Sequence, residues 1–300
     1  MKIRHSIRSS HFAAFATLCL ASSLAASAWA LPNGSEPASP AADAGRPSLP
    51  EPVANDSAGS DDKSQYHLFK RTPRALMREM ATDRPDTTES PISVDAGHLQ
   101  LETEMVNMER DQGTTDPTFG SLNLKLGLAS WTDFQIVFDL FHRTGGENDV
   151  GDLTFRNKIN LWGNDGGSSA LALMPFITLP ASRLGPGYVE GGFIVPLGLE
   201  GPAGWEFATM LELDAVRRTN AYGMDLVATA TAGHAIWEPL GGFVEIASVT
   251  PFADEDVVLS GNSGLVLALS DDVMLDGGVR VGLTDSATDL AMFLGGSGRY

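Results

Sequence analysis

The chain has 300 residues, only 19% of them charged, and it carries 32 Gly and 17 Pro. That surplus of turn residues over helix formers argues against coiled coils and helical repeats. With 20 basic against 38 acidic residues the net charge is −18, a poor match for nucleic acid, and the single Cys excludes a disulfide scaffold and a cysteine-rich metal site.

Residues 1–30 read as a secretory signal. Lys2, Arg4 and Arg8 make a basic start, an apolar run follows from Phe12 to Leu24, and Ala28-Trp29-Ala30 fits the small-x-small cleavage pattern. Cys19 lies inside that run behind Leu18, the wrong setting for a lipoprotein site. Cleavage after Ala30 removes three of the 20 basic residues and leaves 17 against 38 acidic ones, a mature charge of −21. Residues 31–64 are Pro, Ala, Ser, Gly and acid with almost nothing to bury, so they read as a disordered leader. Residues 65–97 form a separate N-terminal segment. In it Thr72-Pro73 before Arg74, Ala75, Leu76, Met77, Arg78, Glu79 and Met80 predicts one short helix with Pro at its first position. Thr82-Asp83-Arg84-Pro85-Asp86-Thr87-Thr88-Glu89-Ser90-Pro91 follows, where two prolines forbid regular structure and the charges crowd together.

From residue 98 to 300 apolar residues recur at every second position. Leu122, Leu124, Leu126 and Leu128 oppose Ser121, Asn123 and Lys125; Phe134, Ile136, Phe138 and Leu140 oppose Asp133, Gln135 and Asp139. This is the period of strands with one apolar and one polar face. Twelve strands are predicted; 170–179 is apolar on both faces and contains Pro175, and 257–269 is interrupted at 260–263.

Alternation alone does not separate a soluble sandwich from an outer-membrane barrel, which turns its apolar face outward to lipid. Three features favour the barrel. Short turns at 130–131, 163–167, 201–204, 238–241 and 270–272 alternate with longer polar loops at 111–119, 143–151, 180–188, 217–222, 251–256 and 285–288, which with an even strand count places both termini in the periplasm. Trp131, Trp162, Trp205 and Trp237 all lie at the short turns, as an aromatic girdle would. The chain runs to Tyr300 within its last strand, a terminal aromatic of the kind read by barrel-assembly machinery. The fold class is therefore all-β, an antiparallel up-and-down transmembrane barrel of about twelve strands. An open sheet edge cannot persist in hydrocarbon, so the sheet must close.

With apolar faces outward, the lumen collects Glu102, Glu104, Asp139, Glu206, Glu212, Asp214, Asp225, Glu245 and Asp276 with Lys125, Arg156, Lys158 and Arg280. Two readings stand: a wet, acid-rich permeation path with a weak cation preference, and an ion-pair lattice bracing a closed barrel. Asp83, Arg84, Asp86 and Glu89 belong to a stiff segment whose charges match such a lumen, so it reads as a plug at the periplasmic mouth or as a collar outside it.

No metal, cofactor or catalytic residue is assigned. His67, His98, His142 and His234 are scattered without paired spacing, no Ser on a recognisable partner strand stands near His142 to suggest a barrel lipase, and Asp254-Glu255-Asp256 lacks the pattern of a calcium loop.

The segment from Thr82 to Pro91, followed by Gly97-His98-Leu99-Gln100-Leu101-Glu102, resembles the opening of the outer-membrane proteins named for the MetA pathway of phenol degradation. Gly151-Asp152-Leu153-Thr154, Leu161-Trp162-Gly163-Asn164 and Leu173-Met174-Pro175-Phe176-Ile177-Thr178-Leu179-Pro180 extend the likeness, which covers roughly residues 75–300. It implies an outer-membrane barrel passing small compounds, aromatic ones among them, and transfers no catalytic residue. The expected function is a passive channel or transporter with outer-membrane lipid and the assembly machinery as partners and its solute unknown; the alternative is a non-conducting structural or binding barrel.

Overall fold

The computed structural model describes residues 62–144, 146–185, 187–218, 221–253 and 256–300. The expected signal peptide, nearly all of the leader and the first two acids of Asp254-Glu255-Asp256 lie outside the described residues. None of the described helices is long and apolar enough to cross a membrane, which leaves crossing by strands untouched.

Twelve strands build the wall among the described residues: β1 (Leu99–Asp111), β2 (Thr114–Ala129), β3 (Thr132–Thr144), β4 (Leu153–Trp162), β5 (Ser169–Leu179), β6 (Glu190–Glu200), β7 (Trp205–Arg217), β8 (Tyr222–Trp237), β9 (Leu240–Pro251), β10 (Val258–Ser270), β11 (Val273–Gly282) and β12 (Leu290–Arg299). A short strand, Glu147–Asp149, lengthens the hairpin at the end of β3. Each wall strand pairs antiparallel with the next, and β12 returns to β1 from Gln100↔Arg299 to Arg110↔Leu290. The sheet is a closed antiparallel barrel, so every strand has two neighbours and no edge is left unpaired.

The side-chain rows follow from this register. Along β7, Leu211 points outward with 54% of its surface exposed, whereas its neighbour Met210 points inward and is buried. Leu140, Leu161, Phe193, Phe207, Val244, Leu265, Met292 and Leu294 share the outward, exposed rows; Gln100, Glu102, Lys125, Asp133, Gln135 and Lys158 are buried inside. Such a molecule is apolar where it faces outward and polar where it is enclosed, the reverse of a soluble domain and the arrangement of a barrel in lipid.

Three local expectations are corrected. The loop foreseen at 111–119 is a two-residue turn, Gln112-Gly113, with φ of 46° and 82°; Thr114, Thr115, Thr118 and Phe119 keep the backbone extended, so β1 and β2 run to the pair Asp111↔Thr114. β10 is continuous through 260–263, because Ser260 and Asn262 face the polar interior rather than marking a turn. The helix foreseen over 73–80 is one 3-10 turn, Arg74–Leu76, with Met77 extended after it. Local propensity loses there to tertiary bonds: Arg78 N donates to Asp95 Oδ2 at 2.9 Å and Gln100 Nε2 donates to Ala81 O at 2.8 Å.

Candidate functional site

The lumen is occupied by the chain's own segment 82–95, which enters just ahead of β1. Proline at 85 and 91 removes two N–H groups and fixes φ, so this stretch cannot add a strand to the wall and must find its partners through side chains. It finds them on β1, β2, β3, β4, β7, β8, β9, β10 and β11, nine of the twelve strands.

Asp83 is the most heavily bonded residue of the segment. Its carboxylate lies 2.5 Å from the ammonium of Lys125 and 2.5 Å from that of Lys158, and it accepts from Gln135 Nε2 at 3.3 Å and Ser90 N at 2.9 Å. Lys125 also pairs with Glu102, whose carboxylate accepts from Asp83 N at 3.1 Å. Both lysines are almost wholly buried, a placement tolerable only with carboxylates on every side.

Arg84 reaches the opposite way. Its Nη2 donates to Asp276 Oδ1 at 2.7 Å and its Nη1 to Glu104 Oε2 at 3.3 Å, so the guanidinium spans the seam from β1 across β12 to β11. Gly295 on β12 makes room for it: a Cβ there would lie 2.3 Å from Arg84 Nη2. Glu89 pairs with Arg156 on β4.

The tip of the segment caps Glu245. That carboxylate accepts from Thr87 N at 3.0 Å, Thr88 N at 2.9 Å and Asn262 Nδ2 at 2.5 Å, and Thr88 Oγ1 lies 2.7 Å from it and from the hydroxyls of Thr229 and Thr231. Asn160 Nδ2 donates to Pro91 O at 2.9 Å, Ser93 N to Asn164 Oδ1 at 2.9 Å and Val94 N to Asp133 Oδ2 at 2.8 Å. Every bond named here between segment and wall ends on a wall side chain.

The other flank of the lumen is apolar. Met174, Ile194, Met210, Val227, Ala247 and Val249 point inward from β5 to β9, pack as one buried cluster with Phe176 and Val258 against it, and meet the segment where Glu89 N approaches Met210 Sδ at 3.5 Å. This is why 170–179 is apolar on both faces: one side faces outward and the other fills the interior.

At the short-turn rim, residues 62–81 are tied to the turns. Arg78 Nε donates to Asp165 Oδ1 at 2.9 Å, and its Nη1 lies 3.2 Å from Asp95. Arg299 Nε donates to Asp272 Oδ1 at 2.9 Å and its Nη1 to Arg78 O at 2.9 Å; Arg74 also pairs with Asp272. Burial would raise the Asp165 and Asp272 carboxyls, but the bonds from Lys63 and Arg78 to the first, and from Arg74 and Arg299 to the second, hold both below the usual range.

Of the residues expected in the lumen, Glu102, Glu104, Lys125, Arg156, Lys158, Glu245 and Asp276 meet the segment. Asp139, Glu212, Asp214, Asp225 and Arg280 stand on inward rows beyond the bonds just described, with Asp225 paired to Arg218 at 2.6 Å. Glu206 shares the inward row of Met210 but is exposed, because it is the second residue of β7 and lies at the open end of that row beside the turn. Asp83, Arg84 and Glu89 are drawn into the lumen, and Asp86 lies between Arg84 and the tip. Trp131, Trp162, Trp205 and Trp237 are all exposed at the short-turn rim. Among the described residues no group of three His, Cys, Asp or Glu side chains has the geometry to hold a metal. The list of lumen charges omitted Asp133, and reading charges alone missed the uncharged Gln100, Gln135, Asn160 and Asn262, although the two-residue period placed all five on the same polar face; it also missed the apolar cluster.

A family model described as "Putative MetA-pathway of phenol degradation" matches residues 82–300. The crystal structure of an outer membrane channel from Pseudomonas putida F1 is similar at a TM-score of 0.51 and 11% identity, covering 73% of this chain and 100% of that one. The translocator domain of the autotransporter NalP from Neisseria meningitidis gives a TM-score of 0.38 at 8% identity over 68% of this chain and 88% of that one. No curated protein matches. The Pseudomonas likeness is one of fold, the closed barrel of an outer membrane channel. The family model takes in the inner segment and all twelve strands, and the chain belongs to the family of the putative MetA pathway of phenol degradation.

Proposed function

We propose that the protein is a passive outer-membrane channel for small molecules, exported by residues 1–30, with both termini in the periplasm and segment 82–95 as its plug. One observation carries this reading: the segment is held inside the wall by side chains and not by a backbone ladder, so it can leave without breaking the cylinder. Its bonds are ionic and polar, a kind that water and mobile ions replace at modest cost once the lumen is wet. The Trp residues serve as the girdle at the short-turn rim. Inward acids outnumber inward bases on the wall, which supports a weak cation preference in the open state. The apolar flank around Met174 and Phe176 offers contact to a solute with an apolar body, and the family description makes small aromatic compounds the first solutes to try.

Liposome swelling tests this. Vesicles holding the mature chain without residues 65–91 should admit small solutes faster than vesicles holding the full mature chain. Equal swelling, with the heat-modifiable gel mobility of a folded barrel intact, rejects the plug. A second reading, a non-conducting barrel with an internal brace, is favoured by the reach of the segment to nine strands; it requires that neither protein swells vesicles.

A further inference from the structure

Phe69 is 91% exposed, yet the chain around it is fixed. Leu68 N donates to Leu128 O at 2.8 Å, His67 N donates to Lys70 O at 3.0 Å, Lys70 N donates to His67 O at 2.8 Å, and His67 forms a bridge with Ala129. The other edge of β2 is taken by β3 at Ala129↔Thr132, so the bridge uses the edge that β1 occupies further along, at Leu99↔Leu126. His67 and Leu68 therefore join the wall's edge at the rim, in the place β1 leaves vacant below Leu99, and Phe69 sits in the tight turn that His67 and Lys70 close. A large apolar ring on a turn bonded to the wall, 91% exposed with the His67 ring edge-on at 6.4 Å, is matched to what the wall faces.

The rim's aromatics show the gap this fills. Trp131, Trp162, Trp205 and Trp237 serve the sectors from β2 to β9, and the β10–β11 turn is Asp271-Asp272. At the β12–β1 seam the aromatics are Tyr300, 71% exposed and paired to Leu99 through Tyr300 N to Leu99 O at 2.7 Å, and Phe69. His67, Lys70 and Arg71 flank Phe69 and are exposed, a basic cluster on a chain with net charge −18. Aromatic rings beside basic side chains suit the boundary between acyl chains and phosphate headgroups.

We propose that Phe69, with Tyr300, completes the aromatic belt at the closing seam, and that residues 66–71 dock on the lipid headgroup surface and fix the N-terminal segment to it. The patch is bonded directly to the edge of the lipid-facing wall, at Leu68 N to Leu128 O and the His67–Ala129 bridge, which is why lipid and not another protein is its occupant. The inference rests on the barrel fold and not on conduction.

The single Cys, Cys19, lies within the cleaved residues 1–30, so any cysteine introduced into the mature chain is unique. The mature chain is labelled with an environment-sensitive fluorophore at Phe69→Cys, or at Glu79→Cys as an exposed control, and reconstituted in phosphatidylethanolamine–phosphatidylglycerol vesicles with lipids spin-labelled near the headgroup. Quenching at position 69 is expected to exceed that at 79 by about twofold or more. Because the fluorophore is itself apolar, a second pair of proteins carries it at His67→Cys, with Phe69 kept or changed to Asp; quenching at 67 should fall by about half with Asp. Equal quenching at 69 and 79, or quenching at 67 that ignores Phe69→Asp, overturns the proposal. So does a label at 69 shielded from aqueous iodide yet untouched by the spin-labelled lipid, which would mean a second copy of the chain covers it.

Discussion

The carboxylate of Asp83 lies 2.5 Å from the Lys158 ammonium, although 75 residues separate the two and each is buried. Removing one partner of such a pair leaves a charge in a site that cannot solvate it. Asp83→Asn should cost about 3–5 kcal/mol of barrel stability, read as the urea midpoint in lipid vesicles. Adding Lys158→Met should restore part of that loss, since the orphaned ammonium goes with it. Equal stability of Asp83→Asn and the native chain would show that the lysines are satisfied by Glu102, Ile92 O and other acceptors alone.

Arg84 and Gly295 form a second contact that a single methyl group disturbs. Gly295→Ala puts a Cβ 2.3 Å from Arg84 Nη2 and 2.4 Å from Thr103 O, so both the guanidinium and the seam must shift. The expected loss is about 1–3 kcal/mol, with a rise in single-channel conductance as Arg84 is displaced. Arg84→Gln, which leaves the seam untouched, should raise conductance as well. If Gly295→Ala raises it and Arg84→Gln does not, the seam and not the guanidinium controls passage.

The two faces of β7 allow a comparison within one strand. Met210→Ala empties part of a closed apolar cluster and should cost about 2–5 kcal/mol. Leu211→Ala, one residue on, removes a side chain from the outward face, where acyl chains fill the gap, and should cost less. Unfolding of both variants in the same vesicles decides it, and equal losses would place Leu211 against protein.

Acid should loosen the rim before the wall. Asp165 and Asp272 have lowered folded values, so each contributes stability above its unfolded value, about 3.9 for Asp, and loses it as pH falls through the lower folded one. Hydrogen exchange across residues 62–81, corrected for intrinsic rates, should therefore speed up below about pH 4 while the strand amides stay protected. Uniform protection down to pH 2 would assign the tie to the backbone bonds of Leu68 and Thr72.

The wall was legible in the sequence because a period of two needs only neighbouring residues. Leu122 to Leu128 against Lys125, or Phe134 to Leu140 against Asp133 and Gln135, announce two faces, and lipid outside fixes which is which. What was hidden depends on residues far along the chain. Nothing near Asp83 tells that Lys125 and Lys158 will bracket it, and nothing near Met210 tells that an apolar inward row will meet Met174 and Val227. Periodicity misled where composition mimics a loop: Thr114 to Phe119 look like a polar excursion, yet β-branched and aromatic side chains hold them in the ladder. The short helix failed for the opposite reason, since Arg78 has stronger partners in Asp95 and Asp165 than a helical turn provides.

Because each thread from the filling to the cylinder ends on a side chain, the two can be uncoupled one substitution at a time. Backbone ladders hold the tube together through changes at Glu245, Asn160 or Lys158, so a graded series of ever looser interiors can be made inside the same shell, each step at a cost in stability.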